Sequence, residues 1–256
     1  MPPYSNLNRS LIRGIEILRC FKPGMDLLGN GEIAERTHLP PSTVSRLTQT
    51  LVQSGYLEHD HRNLAYRLAP TVLSLGHAFK TASLELKVTE PLMRKASERH
   101  KLNVGLAVAD RMEMVYLDSI RYSKNVSLRT VVAGQRVPIE QTSLGRAWIS
   151  TLEPRERAEY FKKLKMLHPK SYKKTEREIL KAIESIALRG YCMASWLPEI
   201  SAISIPVYWV NGRYASLNFS TPVDSHLNSV IESYAPYLIE LRDKLELNFK
   251  TIAKQN

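Results

Sequence analysis

Three consecutive segments within the first eighty residues repeat their apolar positions at helical spacing. The first predicted helix covers about residues 8–22 and ends at Pro23-Gly24. Its apolar face is formed by Leu11, Ile12, Ile15 and Leu18. A second, shorter helix carries Ile33 and Ala34 on its inner face and ends at Leu39-Pro40-Pro41. The pattern therefore predicts two helices followed by a tight turn.

A third helix, predicted over residues 42–54, is apolar on one side and polar on the other. The apolar stripe contains Val44, Leu47, Leu51 and Val52. At 100° per residue, the opposite face gathers Ser42, Arg46, Gln49, Thr50 and Gln53, flanked by Thr43 and Ser45. Arginine can bind guanine, glutamine can bind adenine, and serine or threonine can bind base edges or phosphates. This face therefore fits a DNA major groove, whereas a merely solvated face would more often carry lysine and glutamate.

A short β-ribbon follows the third helix. Gly55 is expected to end the helix in the left-handed conformation, and residues 56–58 and 66–68 are predicted to form strands around a turn at residues 60–63. This order is typical of a winged helix-turn-helix, in which the ribbon touches the DNA backbone. The residues expected to contact DNA are Ser42, Thr43, Ser45, Arg46, Gln49, Thr50 and Arg62. The alternative is a small helical subdomain whose hairpin has no role in binding.

The pattern changes after Pro70, where a linking helix precedes a longer helix over residues 84–100. Strands are predicted over residues 104–109, 112–117, 126–132, 200–209 and 213–220, and helices over about residues 143–151, 154–165 and 175–189. A last helix over residues 224–249 should be kinked by Pro236. We therefore expect a winged helix-turn-helix domain with its linker helix over residues 1–82. Residues 83–256 should form an α+β domain with a mainly antiparallel sheet.

The net charge points to a polyanionic partner without locating it. Lysine and arginine number 36 in the 256 residues against 25 acidic residues, a formal charge of +11. Residues 1–80 contribute only +3 of this excess. The densest basic run contains Lys162, Lys163, Lys165, Lys170, Lys173, Lys174 and Arg177. Either a solvated helical surface or a DNA contact would account for the run.

Several classes of protein are disfavoured by what the sequence lacks. It has no apolar stretch of eighteen residues and no signal-peptide pattern, so a cytoplasmic protein with no membrane partner is expected. Cys20 and Cys192 stand far apart in a chain too large to need disulfides, which predicts reduced thiols.

The second domain has features of a small-molecule sensor. Thr142-Ser143-Leu144-Gly145 opens a predicted helix and could present backbone N–H groups to a carboxylate. Asn218 and Ser220 alternate with apolar residues on one strand, so their side chains share a face. They can bind a ligand if that face is inward. It is equally open that they bond within the protein or face water.

An enzyme fused to a winged-helix module is the competing hypothesis. The sequence contains no Gly-rich phosphate loop, no Gly-x-Ser-x-Gly elbow and no His-Glu-x-x-His motif, so no catalytic residues and no cofactor are predicted. His59 and His61 have a spacing that can bind metal, but no third ligand of clear spacing accompanies them, and no metal site is expected.

Two sets of short motifs resemble the IclR family of bacterial transcription regulators. The DNA-binding half is matched by residues 39–47, 54–58 and 66–68 together with Pro70. The effector-binding half is matched, in the family's order, by Val115-Tyr116-Leu117-Asp118, residues 134–138, residues 142–147, Gly190-Tyr191 and residues 203–207. The resemblance implies a homodimer formed through the N-terminal domains and paired into a tetramer. It also implies operator DNA near genes for carbon or aromatic catabolism, and a small, commonly acidic organic effector.

Family pocket positions can be carried over by residue. Ser143, Leu144 and Gly145 would lie at the pocket's helix N-terminus, while Asn218 and Ser220 match two positions that are often both serine. The loop at residues 192–202 departs from the family pattern, since it carries Met193 and Trp196. These bulky side chains favour an aromatic or otherwise bulky apolar acid; the alternative is that both serve core or surface packing. The prediction is thus a DNA-binding regulator controlled by such an acid.

Overall fold

A computed structural model describes residues 7–25, 27–122, 132–209, 212–222 and 228–255. The chain divides into two compact units, Met1–Ala82 and Ser83–Asn256. Each unit encloses its own cluster of buried apolar side chains, as expected for separate domains.

The first unit packs three helices on a small sheet and ends in a fourth helix. Its helices are α1 (Arg9–Arg19), α2 (Asn30–Thr37), α3 (Pro41–Gln53) and α4 (Thr71–Ala82), and its strands are β1 (Leu28–Gly29), β2 (Leu57–Asp60) and β3 (Ala65–Leu68). The strands are antiparallel in the order β1-β3-β2. Ile17, Ile33 and Val44, from the first three helices, are fully buried in one core. The predicted helix-turn-helix and its wing are confirmed.

The apolar stripe of α1 faces outward. Leu11, Ile12 and Ile15 are exposed by 62%, 40% and 46%, whereas Gly14 and Ile17 are buried. Apolar spacing located the helix correctly but not its inner side, because α1 carries apolar residues on more than one face.

The second unit surrounds a six-stranded antiparallel sheet with helices. Its helices are α5 (Leu84–His100), α6 (Ser143–Ser150), α7 (Pro154–Leu167), α8 (Tyr172–Arg189), α9 (Asn228–Ser233) and α10 (Ala235–Gln255). Its strands are β4 (Asn103–Asp110), β5 (Glu113–Ile120), β6 (Arg136–Pro138), β7 (Cys192–Met193), β8 (Ile200–Tyr208) and β9 (Tyr214–Pro222). The sheet order is β6-β5-β4-β9-β8-β7. This confirms the expected α+β domain with its antiparallel sheet.

The two faces of the sheet have different neighbours. On β9, Leu217 and Phe219 are fully buried in a core shared with α5 and α10. Asn218 and Ser220 alternate with them and therefore face the opposite side, where α6 packs against the sheet. On β9 the strand period of two thus assigns Asn218 and Ser220 to the α6 side and Leu217 and Phe219 to the other.

The last predicted helix is two helices rather than one kinked helix. α9 ends at Ser233 and α10 begins at Ala235, so Pro236 stands in the first turn of α10. Proline is tolerated there because the first turn of a helix has no intrahelical N–H partners to lose. The strand predicted over residues 126–132 falls largely outside the described residues.

The basic run extends over α7, the turn after it and α8. All seven of its side chains are exposed: Lys162, Lys163, Lys165, Lys170, Lys173, Lys174 and Arg177. The exposure is compatible with both functions considered for the run.

Both cysteines are buried, unpaired thiols. Burial raises the pKa of the Cys192 thiol to about 12, so this thiol stays protonated at neutral pH. No helix in the described part of the chain is long and apolar enough to cross a membrane.

Candidate DNA-binding surface and effector cavity

Helix α3 is bounded by clear signals in the sequence. Pro41 occupies its first position, where a missing N–H costs nothing. At the other end Gly55 has a φ of +75°, and the N–H of Tyr56 donates to the Leu51 carbonyl. This is the glycine-terminated helix end predicted from the sequence.

The buried side of α3 determines which of its residues are exposed to solvent. Val44, Leu47 and Thr48 are buried, and the Thr48 hydroxyl donates to the Val44 carbonyl over 3.0 Å. Of the predicted DNA contacts, Ser42, Arg46 and Gln49 are exposed on the opposite side, and Thr43 and Ser45 are half-buried beside them. The polar face is therefore a continuous outer surface.

Thr50 and Arg46 both line a groove beside α1. The Thr50 hydroxyl donates to the Arg46 carbonyl over 3.0 Å, and its side chain lines the groove together with Leu11 and Ile15 of α1. Thr50 thus stands at the edge of the polar face, next to the exposed apolar stripe.

The wing presents Arg62 at its tip. Asp60 accepts hydrogen bonds from the backbone N–H groups of Arg62 and Asn63 over 2.9 and 3.0 Å. These bonds close the turn and hold the pKa of Asp60 below its ordinary value. Arg67 is paired with Glu58 across the ribbon over 2.9 Å. The local bonding leaves Arg62 exposed at the turn, where a wing meets the DNA backbone.

His59 and His61 are adjacent in the ribbon. Their Nδ1 atoms are 3.1 Å apart, and the His59 ring also packs 4.9 Å from that of Tyr66. Among the described residues, no group of three or more His, Cys, Asp or Glu side chains is placed to hold a metal ion.

A cavity of about 140 Å³ lies between the start of α6 and the sheet. Five of the predicted effector residues line it: Ser143, Leu144, Trp196, Asn218 and Ser220. Asn218 and Ser220 are each only 5% exposed. The face they share is therefore the inward one.

The N-terminus of α6 is held rigidly at this cavity. The Thr142 hydroxyl accepts from Gly145 N–H over 3.1 Å and donates to the Pro138 carbonyl over 2.8 Å. The N–H groups of Ser143 and Leu144 precede the first intrahelical bond and have no partner within the helix. They carry the positive end of the helix dipole, which attracts an anion.

Gly145 and Met193, both predicted to bind the effector, do not line the cavity. A Cβ atom on Gly145 would lie 2.0 Å from the Ile139 carbonyl oxygen, so this glycine allows α6 to approach the preceding loop. Met193 pairs with Ile203 of β8 and packs on the core of the opposite sheet face. Sequence alone does not give the register of a two-residue strand, so the position of Met193 outside this cavity could not be foreseen.

Nine further lining residues were not predicted, and Tyr116, Arg121 and Gln135 are among them. Tyr116 and Asn218 both pack over Gly105, where a Cβ atom would lie 2.5 Å from each of them. Alternation along β5 carries a signal for Tyr116, which faces the same side as the buried Met114. No signal identifies Arg121 or Gln135, because they lie beyond strand ends whose positions depend on the tertiary fold.

The chain matches known protein families over most of its length. The model of the IclR helix-turn-helix domain covers residues 10–61, and that of the bacterial transcriptional regulator IclR C-terminal domain covers residues 79–246. The HTH-type transcriptional regulator TsaQ1/TsaQ2 of Comamonas testosteroni is 32% identical over 191 residues, which cover 74% of this chain and 68% of that protein.

Solved structures agree with these matches. An IclR family transcriptional regulator from Brucella abortus has a TM-score of 0.86 and 30% identity, with 95% of this chain and 93% of that chain covered. An IclR homolog from Microbacterium hydrocarbonoxydans, complexed with 4-hydroxybenzoate, has a TM-score of 0.67 at 22% identity, covering 94% and 99% of the two chains. The fold and both family matches together establish that the chain is a transcription regulator, not an enzyme, and belongs to the IclR family.

Proposed function

We propose that this regulator binds operator DNA through α3 and the wing, and that a small organic acid in the cavity beneath α6 controls its activity. The observation that carries the second part is the cavity itself. It joins a helix N-terminus with buried polar groups and apolar walls, the combination that a small anion needs.

The cavity favours an aromatic or otherwise bulky apolar acid. Its volume of about 140 Å³ accommodates a single ring with a carboxylate, and Val137, Leu144 and Trp196 supply apolar walls. Binding of 4-hydroxybenzoate by a protein of the same fold supports this class of ligand. We therefore infer that the regulated genes serve the catabolism of such acids and that the protein acts in the cytoplasm.

The DNA-binding unit is proposed to work as a homodimer, and two dimers to form a tetramer. The exposed stripe of α1 and Leu75 of α4 line one groove of about 670 Å³. Leu75 is 55% exposed. A surface so apolar is stabilised by contact with a second copy, and a two-fold dimer matches a palindromic operator.

The experiment combines ligand screening with DNA binding. The full-length protein is heated with a panel of aromatic and aliphatic carboxylates, and a ligand bound only by the folded state should raise the melting temperature. Compounds that do so are then added to the complex with DNA from the region upstream of its own gene. A change in DNA affinity is expected. If no carboxylate changes either quantity, the proposal of acid control is wrong.

A further inference from the structure

One cationic side chain stands on the wall of the effector cavity. Arg121 directly follows β5 and is half-buried. The other described residues that line the cavity are uncharged at neutral pH, and none of them is Asp or Glu. A cavity that contains a cation and the positive end of a helix, but no carboxylate, has a potential that favours an anion.

Tyr116 positions Arg121 beside the buried polar groups. The Cζ atom of Arg121 lies 5.9 Å from the centre of the Tyr116 ring, and the Tyr116 hydroxyl interacts with both Arg121 and Asn218. Burial raises the pKa of Tyr116, so the phenol stays neutral and does not balance the guanidinium charge. Burial also lowers the pKa of Arg121, because desolvation disfavours its charged form. An anion bound beside it would favour the charged form of the guanidinium.

We propose that Arg121 selects anionic effectors by pairing directly with the carboxylate of the bound acid, so that the cavity discriminates an acid from its neutral amide. This rests on the proposed function, since it names a specificity-determining residue of the same cavity. A guanidinium suits the role because its planar fork donates two parallel N–H bonds to the two oxygens of a carboxylate.

The test compares acids with their amides by calorimetric titration of the full-length protein. The probes are benzoate and benzamide, 4-hydroxybenzoate and 4-hydroxybenzamide, and succinate and succinamide. Wild type should bind at least one acid about 10- to 100-fold more tightly than its amide, the range expected for a hydrogen bond to a charged group. Arg121→Gln should lose about the same factor for the acid and leave amide binding unchanged, while Arg121→Lys should retain part of the preference.

Arg213→Gln is the matched control. Arg213 is exposed at the other end of the β8–β9 hairpin from the cavity, so its loss should leave every affinity unchanged. The melting temperature of each unliganded variant shows whether it is folded. If Arg121→Gln does not fold, comparing acid and amide affinities of wild type and Arg121→Lys still tests whether Arg121 selects the acid.

The outcomes separate this inference from the proposed function. Two results would show that Arg121 is not the selecting residue: Arg121→Gln binds an acid as tightly as wild type does, or wild type binds acid and amide equally well. Either result would leave the proposed effector cavity unaffected. If wild type binds neither these three acids nor any other carboxylate of the screening panel at millimolar concentration, acid control itself fails, and the role of Arg121 fails with it.

Discussion

Arg46 is the only cationic residue of α3, and it is exposed on the polar side. If it reads a guanine through two hydrogen bonds, Arg46→Ala should weaken specific operator binding by about 1–3 kcal/mol. Fluorescence anisotropy with labelled operator DNA measures this loss. Arg213→Ala removes an equal charge from the other unit and should leave DNA affinity unchanged. Equal operator affinity of Arg46→Ala and wild type would exclude a reading role for this residue.

Gly145 has a packing role that its place in the motif does not reveal. Because a Cβ atom would lie 2.0 Å from the Ile139 carbonyl oxygen, Gly145→Ala must displace α6 or the preceding loop. We expect a loss of about 1–3 kcal/mol in the free energy of unfolding. Urea denaturation followed by circular dichroism measures it. Gly31→Ala is the control, since a Cβ at Gly31 meets no atom within 4 Å; a Gly145→Ala variant as stable as that control would contradict the packing argument.

The effector residues show how far single positions can be predicted. Ser143, Asn218 and Ser220 meet at one cavity, as helix-start geometry and strand alternation indicated. Met193 lies outside the cavity because pairing with β8 sets its face, and the sequence does not show that pairing. Arg121 was missed because it enters the cavity from beyond the end of a strand, where no periodic pattern applies.

At the scale of the element, the start of α6 depends on its N-cap. Thr142→Ala removes the hydroxyl that accepts from Gly145 and donates to Pro138, and should cost about 0.5–2 kcal/mol of stability. Thr142→Ser keeps the hydroxyl and should lie close to wild type. Thermal unfolding of the three proteins checks the order. Identical melting temperatures would mean that the cap does not hold α6 in place.

Whether a segment forms a helix or a strand was predicted better than which of its faces is buried. The long helix α5 and the paired strands β8 and β9 follow from periodicity, and they begin and end close to the expected residues. The two-residue strands β1 and β7 were not predicted, because so short a segment shows no alternation of polar and apolar residues. The outward stripe of α1 was also not foreseen, since the same spacing serves a core or an interface between chains.

For the whole molecule, the exposed stripe predicts assembly. Leu11→Glu combined with Leu75→Glu places two charges in the groove between α1 and α4 and should weaken association of the DNA-binding units. Sedimentation velocity should show a smaller species or a concentration-dependent shift, and operator affinity should fall. Leu188→Glu, at a position 77% exposed in the other unit, is the control and should sediment as wild type. An unchanged assembly in the double variant would rule out this groove as the dimer contact.

The alternation along β9 has a practical consequence for changing what the regulator senses. Leu217 and Phe219 are buried in the apolar core on one face, whereas Asn218 and Ser220 line the cavity on the other. If the cavity binds the effector as proposed, a library that varies Asn218 and Ser220 should alter ligand preference and leave Leu217 and Phe219 of the core unchanged. Under that proposal the two faces of β9 would separate the choice of ligand from the packing of this core, which would suit the protein to engineering as a biosensor.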